Sequence, residues 1–317
     1  MNDSLRRLLA KSGPFLGLVL VIAFFALVGS EHYLTYHNVR IILTQTVLIA
    51  LGALGMTMII VSGGIDLSAG STVAFGGVVG ALLLRGGAGD LTVALLVVLT
   101  GALIGLLNGA MIAALRLTPF IVTLGTMSIV RGAAKGLASN QTVNYPGAPP
   151  INGWMTSDPL GYGLPVGVWV ALALAIAISV VLRCTVFGRR VFALGSNEAT
   201  ARLCGVPVTR TKIFVYALGG ALFGLAGVFQ LSRLRQGDPT VALGLELDMI
   251  ASAVIGGASL SGGVGTVLGT VIGALMIAAL RNGSQQMGWE THIQEIIIGA
   301  VIILAVYVDR LRQGRQA

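Results

Sequence analysis

The sequence is short of charge. Asp, Glu, Lys and Arg make up 10% of its 317 residues, against about 25% in an average soluble domain. It is also short of cysteine. Cys184 and Cys204 stand apart with no histidine between them, which makes neither a metal motif nor a disulfide framework. Both read as small apolar residues. Lysine is scarcer still: Lys11, Lys135 and Lys212 are the whole set, and none follows a glycine. A phosphate-binding loop of the form G-x-x-x-x-G-K-[ST] is therefore excluded. The strict Gly-X-Y period of collagen is missing too, despite 45 glycines.

What remains is apolar. Hydrophobic residues are 55% of the chain, and the mean hydropathy is +0.91. That excludes disorder, a nucleic-acid reader and an ordinary cytosolic enzyme. The fold class expected is all-α, a polytopic integral membrane protein in contact with lipid. Glycine suits that class, because small residues let transmembrane helices approach closely.

Ten apolar segments are expected as helices: roughly 15–29, 39–61, 67–84, 91–115, 118–137, 166–182, 213–231, 246–257, 264–280 and 293–308. A bilayer core needs about 20 residues, so 246–257 reads as a half-helix or a re-entrant piece. The net charge is +8, and its distribution sets topology. With the N-terminus inside, thirteen of the 20 basic residues fall inside, among them Arg6, Arg7, Arg116, Arg189, Arg190 and Arg315. Both termini are expected in the cytoplasm. Val28-Gly29-Ser30 is a poor cleavage site, so the first segment reads as an uncleaved anchor. Residues 138–165 read as an outer loop resting on the membrane surface. Residues 183–212 read as the main inner loop. No soluble domain fits, so residues 1–317 are expected as one membrane domain.

The chain repeats itself. Residues 59–84 and 252–277 align without a gap at an offset of 193, with 11 of 26 positions identical. The matches include Gly63 with Gly256, Gly64 with Gly257, Ser68 with Ser261 and Gly76 with Gly269. Gly-Gly followed by Asp/Ser-Leu-Ser ends one helix and starts another. Glycine allows the positive φ of a helix C-cap, and Asp66 or Ser68, like Ser259 or Ser261, can cap the next helix. Broken helices at a repeat interface are where transporters place their pathways. Gly63, Gly64, Asp66, Ser68, Asn108, Gly256, Gly257, Ser259 and Ser261 are the resulting candidates for pathway or hinge. The order of crossings leaves the relative orientation of the copies open.

Asp66 is the acid placed at membrane depth, where a charge costs about 2.5–3.5 kcal/mol. Its role is a helix cap, a pathway contact, or both. Gln45, Asn108 and Gln230 are polar within apolar segments and serve either interhelical hydrogen bonding or the pathway. In the inner loop, Glu198 to Leu203 reads as a short helix, capped by Ser196 or Asn197 and closed by Gly205 and Pro207. Glu198 and Arg202 lie at i, i+4 in the favourable direction.

Four stretches in order resemble one family. They are Ala53-Leu54-Gly55-Met56-Thr57 running into Ser62 to Ser68; Asn108-Gly109 with Pro119 to Met127 and Arg131-Gly132; Gly195-Ser196-Asn197-Glu198-Ala199 with Ala201-Arg202 and Gly205; and Glu246-Leu247-Asp248 through Gly256-Gly257 to Gly265. The chain resembles the permease subunits of bacterial ABC sugar importers, the ribose-type branch that also includes xylose, rhamnose, galactofuranose and autoinducer-2 permeases. The resemblance implies a non-catalytic inner-membrane subunit without cofactor or metal. It pairs with a second permease, identical or paralogous, with ATPase subunits and with a periplasmic sugar-binding protein. It also implies that Asn197, Glu198, Ala199, Arg202 and Gly205 belong to the loop that couples to the ATPase. The competing reading is an ion-coupled secondary transporter, which buried acid–base pairs would favour; the sequence shows none. An intramembrane protease built on Asp66 and Asp309, or on Ser261 and His292, lacks the signatures of either class.

Overall fold

The computed structural model describes residues 3–29, 31–159 and 161–313. Ser30 and Arg315, which entered the cleavage and topology arguments, lie outside the described residues. The helices in chain order are α1 (Asp3–Val28), α2 (Tyr36–Val61), α3 (Ala69–Arg85), α4 (Asp90–Ala114), α5 (Pro119–Leu137), α6 (Val166–Cys184), α7 (Val186–Ser196), α8 (Glu198–Leu203), α9 (Val208–Leu234), α10 (Leu245–Ile255), α11 (Val267–Gln286) and α12 (Thr291–Gln313). Each of the ten apolar segments became a helix. α2, α4, α6, α9 and α11 are long and apolar enough to cross a membrane. At 1.5 Å per residue, the 11 residues of α10 span only about 16 Å, so α10 is a half-helix. The protein is a polytopic helical membrane protein.

α2 is the hub. Its wall is almost wholly buried, whereas α4 and α6 expose most of their apolar surface. It packs against α6, α7, α9, α10 and α11. α4 and α9 form the closest pair in the fold. Gly101, Gly105 and Gly109 recur every four residues along one face of α4. A Cβ on any of them would strike the backbone of Ile213, Tyr216, Gly220 or Gly224 on α9. The two backbones touch directly, which is the packing that small residues permit in lipid.

The contacts settle the sense of the two hairpins. Gly52 of α2 faces Met249 of α10, and Val61 at the end of α2 accepts a backbone hydrogen bond from Gly263 beyond the end of α10. α10 therefore runs beside α2 in the same direction. α11 returns, with Thr57 and Thr270 hydroxyls 2.7 Å apart. Along α9, Gly55 of α2 meets Gly219 while Gly64 meets Tyr216, and α3 passes Gly224 at Gly76 and Leu231 at Gly80. α3 thus returns along α9, and both hairpins enter from the same end of the bundle.

The two long connections hold more structure than the sequence suggests. Parts of the connection between α5 and α6 fold back onto the bundle. Val143 and Gly237 pair in a β-bridge, Ile151 is fully buried in a 3-10 turn over Pro150–Gly153, and its N–H donates to Asp90 at 3.0 Å. Val143, Ile151 and Met155 of this connection are buried against the bundle, whereas Tyr162 is exposed. Residues 183–212 hold a second helix beside α8, namely α7. Thr185 caps it by accepting from Gly188 at 3.1 Å, and Val191 and Leu194 bury its inner face.

Candidate functional site

The first helix break follows α2. Gly63 N–H donates to Ile60 and Gly64 N–H to Ile59, a Schellman ending with Gly63 at φ +85°. The second break repeats it after α10. Gly257 N–H donates to Val254 and Ala258 N–H to Ala253, with Gly257 at φ +91°. These endings correspond at an offset of 194, not 193, so Gly63 matches Gly257. The next turn returns to 193: Ser68 N–H donates to Asp66 at 2.8 Å, and Ser261 N–H donates to Ser259 at 3.2 Å. One residue fewer separates ending and turn in the second copy.

The copies then diverge. α3 begins at once after Ser68, but α11 starts only at Val267. Gly262 and Gly263, both at positive φ, hold the chain out of helix between them. The expectation that Ser259 or Ser261 caps the following helix is thereby corrected. The cap of α11 is Thr266, which accepts from Gly269 at 3.1 Å. In the first copy Ser68 stands at the cap position without a side-chain capping bond. Its hydroxyl donates instead to Asp66 at 2.6 Å.

Asp66, Ser68 and Asn108 are brought together and sealed. Asp66 is 1% exposed and the other two are 0%, so no solute reaches them in this conformation. Asn108 of α4 donates to Asp66 at 3.2 Å and to Ser68 at 3.0 Å. Thr126 of α5 donates to the Asn108 carbonyl oxygen at 2.6 Å. Thr123 and Tyr216 both donate to the Ile65 carbonyl. Each polar group on this node is matched, as a buried network must be. Thr126 and Tyr216 were not among the sequence candidates, because nothing local marks a threonine or tyrosine as the far end of a long-range bond.

Gly195, at the end of α7, joins the two breaks. A Cβ there would collide with the Val61 carbonyl and the Gly263 amide, the two partners of the bond that ties α2 to the second break. Gly262 and Gly263 in turn lie against the backbone of Gly195 and Ser196. Three backbones meet at one point, and α8 follows immediately. Asn197 is the cap of α8, accepting from Thr200 at 2.9 Å. Ala199 lies in its first turn and Gly205, at φ +80°, closes it. Glu198 pairs with Arg202 at 3.1 Å, as the i, i+4 spacing predicts, and also with Lys212 of α9 at 2.6 Å. The Lys212 hydrogen bond, aided by Arg202, holds the Glu198 carboxyl below its usual range. Leu203 is 88% exposed at the tip of α8. A large apolar side chain beside charged ones, on a capped helix tied to two helix breaks, is suited to docking.

A buried acid–base pair is present after all. Asp248 of α10 and Arg281 of α11 approach to 2.8 Å, with the Asp248 side chain 3% exposed. The partners are brought together by the α10–α11 hairpin, which sequence spacing alone does not reveal. Among the described residues no cluster of His, Cys, Asp and Glu could hold a metal ion.

Comparison with known proteins places the chain. The family model described as branched-chain amino acid transport system / permease component matches residues 38–306. The chain is similar to the ribose import permease protein RbsC of Escherichia coli K12, with 38% identity over 301 residues and 93% of each chain covered. It is 37% identical to the ribose import permease protein RbsC of Bacillus subtilis, over 96% of this chain and 94% of that one. It is 34% identical to the L-arabinose ABC transporter permease protein AraH of Azospirillum brasilense, over 98% and 90%. No solved structure gives a significant match. The match over most of its length, to the family and to these relatives alike, shows that the chain belongs to the family of branched-chain amino acid transport system / permease components.

Proposed function

We propose that this chain is the transmembrane permease subunit of an ABC importer for a monosaccharide or a related small polar solute. The observation that carries the reading is similarity over nearly the whole chain to permeases named for ribose and arabinose. It works with a second permease, ATPase subunits and a periplasmic binding protein, in the bacterial inner membrane with both termini in the cytoplasm. The positive charge of the α6–α9 connection supports that orientation. α8 is the ATPase-docking helix, with Asn197, Glu198, Ala199, Arg202 and Gly205 building it. Gly63, Gly64, Gly256 and Gly257 form the hinges that α8 moves through Gly195. Asp66, Ser68 and Asn108 brace the first hinge, and Ser259 and Ser261 shape the second.

The test is reconstitution. The purified chain alone should neither hydrolyse ATP nor move sugar uphill; either activity would overturn the proposal. With its ATPase and binding protein it should take up D-ribose or L-arabinose with ATP. Uptake of leucine in place of sugar would also defeat it. Ala201→Pro removes the N–H that bonds to Asn197 at 2.9 Å and costs about 3 kcal/mol in a helix. It should uncouple hydrolysis from uptake. Cys204, exposed at the end of α8, should crosslink to the ATPase.

A further inference from the structure

At the end of the bundle remote from α8, a cavity of about 210 Å³ opens between α2, α9, α10 and α11. Its polar wall carries Gln45, Gln230, Arg233, Asp248, Arg281 and Gln285. Leu48, Ile49 and Leu245 form an apolar wall. A second cavity of about 290 Å³ shares Gln45 and Arg233 and extends past Arg40 and His37. Two of the six polar groups carry unused hydrogen-bonding capacity at buried atoms. The Gln45 carbonyl oxygen is buried and has no partner in the protein, and Arg281 Nε is in the same position. Arg233 makes no ion pair among the described residues.

We propose that this cavity is a monosaccharide site on the translocation route. The proposal rests on the importer reading above and locates the solute within the chain. Three features fit a sugar. Glutamine amides both donate and accept, as hydroxyls do, whereas a carboxylate only accepts. The unpaired Gln45 oxygen requires a donor, which a hydroxyl supplies and a carboxylate does not. A fixed guanidinium fork suits two neighbouring oxygens, while the apolar wall suits the C–H face of a sugar ring. The volume holds one ring with its hydroxyls. The Asp248–Arg281 pair joins α10 to α11, so a solute bound there touches both arms of the second hairpin.

The experiment uses cells making the full chain with its own ATPase and binding protein. Gln45→Leu and Gln230→Leu keep size while deleting hydrogen bonds. Each should lower uptake of labelled D-ribose, L-arabinose or D-galactose, whichever the native chain carries, by about tenfold at unchanged chain level in the membrane. In a Cys184→Ser, Cys204→Ser background, the exposed Gln285→Cys thiol should label several-fold more slowly in the presence of that sugar, and at an unchanged rate with glutamate. Native uptake in both leucine variants would overturn the cavity assignment and leave the importer reading standing. Protection by glutamate instead of sugar would do the same. A native chain that carries no monosaccharide would overturn the importer reading and the cavity with it. Where a leucine variant does not reach the membrane, the thiol measurement decides.

Discussion

The two helix breaks share a backbone and differ in what holds it. Each ends its helix in a Schellman motif on a positive-φ glycine, and each then turns on a side-chain oxygen two residues ahead of the N–H it accepts. In the first break that oxygen belongs to Asp66, locked by Ser68 and Asn108 inside the protein. In the second it belongs to Ser259, also buried, while Ser261 beside it is exposed. The first passes straight into α3; the second detours through Gly262 and Gly263. The same turn is built on a carboxylate in one copy and on a hydroxyl in the other. The shape is shared, while the groups that build it differ.

The sharpest way to break this comparison is to separate the two breaks. Gly195→Ala puts a methyl between the Val61 carbonyl and the Gly263 amide, where only backbone could yield. The expected cost is about 3 kcal/mol, with sugar uptake falling below a tenth while the chain still reaches the membrane. Native uptake in this variant would mean that the breaks are not linked through α7.

Asp66 and Ser259 then test carboxylate against hydroxyl. Asp66→Ala leaves Asn108 and the Ser68 N–H without their acceptor and should cost about 2–3 kcal/mol. Asp66→Asn keeps the turn oxygen but sets an NH2 against Asn108, for about 1 kcal/mol. Ser259→Ala should cost less than Asp66→Ala. Apparent melting temperatures of the purified chain give the order, and equal losses at 66 and 259 would erase the difference between the breaks.

A smaller effect tests what they share. Gly63→Ala and Gly257→Ala meet open space or an ordinary contact with Gly195, so backbone strain alone acts, about 1–2 kcal/mol at each. Near-equal shifts at the two sites are the expected result. They would also confirm the 194 register, because Gly64 and Gly256 have ordinary φ.

The smallest effect lies at α8. Glu198 has its pKa lowered in the fold, so its pairing stabilises above the usual carboxylate range and is lost as the pH falls through the depressed value. The side chain is 43% exposed, which limits the effect to about 0.5 kcal/mol. The amide hydrogen exchange of Ala201, taken relative to its intrinsic rate at each pH, should quicken on acidification, and Glu198→Gln should flatten that pH profile.

Much of the fold was legible in the sequence, because helices in a bilayer announce themselves by length and hydropathy. All ten apolar segments became helices, and α10 was short enough to be read as half a crossing. What stayed hidden was relational. Hydropathy does not distinguish buried α2 from largely exposed α4, since membrane and core select the same side chains. α7 was missed although Phe187, Val191 and Leu194 follow helical spacing, because six basic residues in the same loop dominated the reading. The gapless alignment tracked glycines, yet a glycine's φ depends on its neighbours, so the helix endings moved by one residue. Asp66, Ser68 and Asn108 were singled out together without any hint that they bond one another. Asp248 and Arg281 were not paired, because only the hairpin makes them neighbours.

The α4–α9 seam has a consequence for how the protein is made. Its halves are separated by α5, the long loop, α6, α7 and α8. A ribosome adding about 5–20 residues per second completes α9 several seconds after α4 has left it. Throughout that interval the groove of Gly101, Gly105 and Gly109 lacks the α9 backbone that fills it in the folded chain. The nascent chain thus passes through a stage whose most intimate helix pairing is half built, and quality-control proteases act on such intermediates. A chain truncated just before Val208 should therefore be short-lived in the membrane, and one extended through Leu234 should persist.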